Sequence, residues 1–118
     1  MNRRKGETRK IPSEYRAMWL LAMFDLPVDT QQHRREYAQF RKHLLKEGFV
    51  QLQYSVYARF AASDESVEAA RQRVRSAIPP HGHVRLMAVT DRQYARMEVY
   101  FGKKRKPVED PPAQYELF

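Results

Sequence analysis

The segment AMWLLAMFD, residues 17–25, decides the architecture. Its first eight residues are the longest apolar run in the chain, and Pro27 closes it off. A membrane span needs about 20 apolar residues, so the run does not cross a bilayer. It is also too short for a typical helix. An apolar stretch without polar alternation is the pattern of a strand covered on both faces, so it predicts a strand in the middle of a sheet.

Downstream, the spacing predicts a helix over Thr30–Glu47, with Asp29 or Thr30 as cap and Gly48 as stop. Tyr37, Phe40, Leu44 and Leu45 form its apolar face. The polar face carries Arg34, Arg35, Arg41, Lys42 and Lys46, against only Glu36 and Glu47. Phe49–Phe60 is rich in β-branched and aromatic residues, with Val50, Leu52, Tyr54 and Val56 alternating against Gln51, Gln53, Ser55 and Tyr57. It reads as one long bent strand, or as a strand with a short partner near Arg59–Ala62. Ser63–Ile78 predicts a second helix, capped by Ser63 and ended by Pro79-Pro80, with Val67, Ala70, Val74 and Ala77 inward. Asp64 and Glu65 early and Arg71, Arg73 and Arg75 late complement its dipole. Val84–Thr90 follows as a strand, then a turn at Asp91–Tyr94, then a last short strand at Met97, Val99 and Phe101.

Strands alternating with helices of this length predict an α+β fold, the ferredoxin-like βαββαβ sheet with two helices on one face. The other face of such a sheet is bare. A second copy of the chain is the simplest cover, so a homodimer is expected.

Charge points to the partner. Twenty-two Lys+Arg against 14 Asp+Glu give +8 at pH 7 and a pI near 10.0, the footprint of a nucleic-acid binder. Residues 1–16 hold six basic and two acidic residues and read as a flexible basic arm. Residues 17–102 make the folded domain. Residues 103–118 read as a Pro-containing tail that opens at Lys103–Lys106 and ends on Tyr115, Leu117 and Phe118, a short anchor that docks either on this domain or on a partner. The absence of cysteine excludes disulfides, thiolate zinc sites and cysteine nucleophiles, and fits a reducing compartment. With no secretory signal and no membrane segment, a cytoplasmic location is expected.

Asp25 ends the central strand, where a carboxylate is not needed for packing. It is a candidate hard ligand for Mg²⁺, although spacing alone favours a simple turn helped by Pro27. Asp29 reads as a helix cap. Asp91 reads as a turn residue that could approach the end of the first strand. His33 and His43 do not share a helix face, and His81-Gly82-His83 is a weak metal signal without a third partner. Arg34 and Arg35 stand where helix-terminal amides gather, which favours phosphate twice over; Arg41 and Lys42 extend the basic face. Tyr and Phe in the strands read mostly as core, which argues against a base-stacking, single-strand reader.

The stretches WLLAMFDLP (19–27), REYAQFRKHLLKEGFVQLQYSVYARF (35–60) and IPPHGHVRLMAVTDRQYARMEVYFG (78–102) resemble the CRISPR-associated protein two family, in particular the versions from Cas9-type loci. The resemblance covers about residues 17–102. It implies a ferredoxin-like homodimer that sits between dimers of the CRISPR-associated protein one integrase and supports a duplex DNA prespacer during spacer acquisition. It also implies a Mg²⁺-dependent endonuclease activity on RNA or DNA in some members, with the metal-binding and catalytic acid mapping onto Asp25. In the integrase complex the family's role is structural and that acid is not required. The alternative is a basic ferredoxin-like RNA-binding module without catalysis.

Overall fold

The computed structural model describes residues 16–111. The basic arm before Arg16, and Tyr115, Leu117 and Phe118 of the tail, lie outside the described residues. The apolar run forms strand β1 (Met18–Asp25). Helix α1 (Gln31–Lys46) follows, then β2 (Val50–Gln53), β3 (Val56–Ala61), helix α2 (Asp64–Arg75) and β4 (His83–Thr90). The four strands are antiparallel in the order β2-β3-β1-β4, the ferredoxin-like arrangement. β1 is central as predicted: Leu20 stands opposite Arg59 on one side and Ala88 on the other. Phe49–Phe60 resolves as two strands joined at Tyr54-Ser55, with an irregularity between Gln51 and Gln53.

Local chemistry sets the helix ends. Thr30, not Asp29, caps α1: its Oγ1 accepts the His33 N–H at 3.0 Å. At the other end Gly48 adopts φ +92, and the N–H groups of Gly48 and Phe49 return to the carbonyls of Leu45 and Leu44. That double return satisfies carbonyls the helix would otherwise leave open, and the left-handed turn suits glycine. Ser63 caps α2 through the Ser66 N–H.

Leu20, Ala22 and Phe24 of β1 pack with Phe40 and Leu44 of α1 and with Val67, Ala70 and Val74 of α2, so both helices lie on one face. Leu45, expected inward, is exposed. One residue on from the buried Leu44, it points about 100° around the helix and misses the core. Val50 is exposed too, because β2 is an edge strand.

The opposite face is less bare than predicted. Asp91–Ala95 is not a turn but a short helix α3, with Thr90 and Gln93 capping it reciprocally. It lays Tyr94 on Trp19, with ring centroids 3.9 Å apart and planes within 10°. The Trp19 Nε1–H donates to Asp91 Oδ1 at 2.7 Å. β5 (Val99–Phe101) pairs with β6 (Lys104–Lys106) in a separate hairpin, so the lysine-rich start of the predicted tail is a strand. Beyond it Val108 packs against the Trp19 cluster, and the Tyr94 hydroxyl donates to Glu109 Oε1 at 3.2 Å. Between this cover and β2 an apolar groove of about 630 Å³ stays open, lined by Leu21, Met23, Leu52, Val56, Met97 and Phe101 among others.

Candidate metal and nucleic-acid sites

Asp25 is exposed at the C-terminal end of β1, opposite His83 in the β1–β4 register. The α2–β4 loop seats tightly on this strand end. Gly82 has φ +96, and a Cβ there would stand 2.7 Å from the Asp25 carbonyl oxygen. Asp91 does not approach Asp25. Its backbone N–H bonds the Ala17 carbonyl at 3.0 Å, at the opposite end of β1, and its carboxylate belongs to Trp19. Among the described residues Asp25 belongs to no cluster of three metal ligands.

Such a cluster does exist beside it. His33 and Glu36 of α1 and His81 of the α2–β4 loop each bring one ligand atom within 4.8 Å of the others. Asp29, freed from capping, places Oδ1 2.6 Å from His33 Nδ1. This hydrogen bond holds the Asp29 carboxyl below the usual carboxylate range. The sequence showed a pair at His81 and His83 and no third ligand. The fold splits that pair: His83 enters the strand opposite Asp25, and His81 turns to α1.

The basic face of α1 is exposed at Arg34, Arg35, Arg41 and Lys42. Arg34 and Arg41, like Arg35 and Lys42, are seven residues apart and therefore in line along the helix, about 10 Å apart. The helix's own carboxylates do not neutralise them: Glu47 pairs with Arg73 at 2.6 Å, and Glu36 accepts from Gln32 at 3.1 Å. Arg34 Nη1 donates to the Val28 carbonyl at 3.0 Å, which ties one of the four to the start of the helix. The expectation that the aromatics are core fails at three positions. Tyr54, Tyr100 and Phe101 are more than half exposed, because they fall on the β2–β3 turn and the β5–β6 hairpin rather than inside the sheet.

Fold and surface together define a ferredoxin-like α+β protein with a basic helix face and a carboxylate at the end of its central strand. The family model described as CRISPR associated protein Cas2 matches residues 18–97. The chain belongs to that family. It is 50% identical over 101 residues, 86% of this chain and 100% of the relative, to a protein named CRISPR-associated endoribonuclease Cas2 in Parvibaculum lavamentivorans. A protein of the same name in Flavobacterium psychrophilum is 42% identical over 106 residues, 90% of this chain and 92% of that one.

Proposed function

We propose that the chain is the homodimeric, DNA-binding scaffold of spacer acquisition, bridging dimers of the CRISPR-associated protein one integrase around a duplex prespacer. The observation that favours a scaffold over a nuclease is the isolation of Asp25 from any three-ligand cluster among the described residues. In-line phosphodiester hydrolysis draws on several oxygens to hold one or two metal ions. One carboxylate per chain, or two across a dimer, supplies few. The exposed basic face of α1 suits a duplex backbone, which asks for charge and not for base-edge readout. The apolar groove and the exposed hairpin aromatics suit a second copy of the chain.

The relatives are named endoribonucleases, which favours a second reading, the metal-dependent endonuclease that the family resemblance implies. On that reading Asp25 holds Mg²⁺, which keeps most of its waters and accepts one or two carboxylates.

A pull-down of the integrase with duplex DNA on the full chain tests the scaffold, together with a truncation lacking residues 112–118. The scaffold requires a DNA-stabilised complex with the full chain, and the anchor requires weaker capture by the truncation with an intact homodimer. Failure to capture the integrase, alongside Mg²⁺-dependent cleavage of RNA or DNA, favours the enzyme. RNA binding without cleavage or integrase capture favours the RNA-binding module.

A further inference from the structure

Helix geometry first brings two ligands together: His33 and Glu36, three residues apart on α1, share a face. His81 completes the group from 45 residues further along the chain, its ring centroid 5.2 Å from that of His33. The hydrogen bonds around the cluster leave lone pairs free for a cation. Asp29 engages His33 Nδ1 and leaves Nε2. Gln32 donates to Glu36 Oε2 and leaves Oε1.

We propose that His33, Glu36 and His81 form a binding site for a divalent transition-metal ion of the Zn²⁺ class, with Asp29 as the carboxylate that orients His33. Two imidazoles and one carboxylate are a zinc donor set, with a fourth position left for water. The same donors suit Mg²⁺ poorly, since it asks for an octahedron of oxygens. A carboxylate on the far nitrogen of a ligating histidine fixes its tautomer and raises its basicity. The positive end of α1 works against a cation there, as do Arg34 and Arg35, and the carboxylates of Asp29 and Glu36, paired with neither arginine, supply the negative charge that draws it in. The site is separate from Asp25 and does not depend on the scaffold reading. Its ion staples the start of α1 to the loop that rests on the Asp25 strand end.

The test is calorimetric titration of Zn²⁺ into the chelator-stripped full chain, in the presence of excess Mg²⁺. One saturable Zn²⁺ per chain is expected. At Zn²⁺ a hundredfold above its dissociation constant, the thermal midpoint rises by about 10 °C. Co²⁺ in place of Zn²⁺ gives the visible absorption of a four- or five-coordinate ion. Asp29→Asn weakens binding by about tenfold or more, as loss of an orienting partner does. His33→Ala and His81→Ala abolish the site, while Asp25→Asn, His43→Ala and His83→Ala bind as the parent does. His81 is exposed in a loop, so its variant remains decisive even where a change on α1 disturbs folding. Absence of saturable binding, parent-like binding by His81→Ala, or loss of binding in His83→Ala or Asp25→Asn overturns the proposal.

Discussion

Asp25 and Gly82 meet at the end of β1, and each makes a distinct demand on that spot. Asp25 is exposed and its carboxylate lies outside the core, so removing it leaves packing intact. Asp25→Ala is expected to abolish any Mg²⁺-stimulated nuclease activity while dimerisation and duplex binding persist; full cleavage by the variant sinks the catalytic assignment. Gly82 is the opposite case. Its φ of +96 and the 2.7 Å approach of a would-be Cβ to the Asp25 carbonyl leave no room for a side chain. Gly82→Ala should cost about 2 kcal/mol or more, read as a lower urea midpoint at unchanged slope.

Among the elements, α1 and α3 do different work. Substituting Arg34 and Arg35 together by alanine on α1 should weaken duplex binding whatever the sequence. Each phosphate that thereby goes unneutralised should flatten the slope of log K against log salt by about 0.9. An unchanged slope in a salt titration places the DNA elsewhere. α3 holds Tyr94 against Trp19 and ties it to Glu109 in the segment after β6. Burial, then the charges of Glu109, Asp110 and Asp91, push the Tyr94 hydroxyl well above its ordinary range. An unfolded tyrosine loses its proton near pH 10. Above that pH the folded state binds more protons than the unfolded state, so this contribution is whole below about pH 10 and declines as pH rises further. Tyr94→Phe should therefore lose less stability than the parent between about pH 10 and 11, measured by urea unfolding at each pH.

At the scale of the whole molecule, the question is what covers the open part of the sheet. α3 and Val108 cover the end at Trp19, and the groove between Leu52 and Phe101 stays open. Met87, on the edge strand β4 and opposite Leu21 in the register, is about half exposed on this side. If a second copy covers the face, Met87→Glu should shift the chain from dimer to monomer in sedimentation equilibrium. A burial of charge that finds no partner is costly enough to do so. A dimer unmoved by the substitution locates the interface on another surface.

Periodicity made most of the fold legible in advance. The unbroken apolar run at 17–24 placed the central strand, and the spacing of Val67, Ala70 and Val74 placed the buried face of α2. Caps at Thr30 and Ser63 were readable because capping is an interaction within one turn of chain. Asp25 was readable as a carboxylate that packing does not need, and the metal-binding role expected of it came from family resemblance. The α3 cover over Trp19 and the packing of the segment after β6 depended on neighbours far along the chain. So did the cluster of His33, Glu36 and His81. A sequence pattern fixes which side of its own element a residue faces, but not what that side meets. Here a left-handed glycine seated on a strand end turned His81 toward α1 and left His83 in the sheet, and only the assembled tertiary structure decides that.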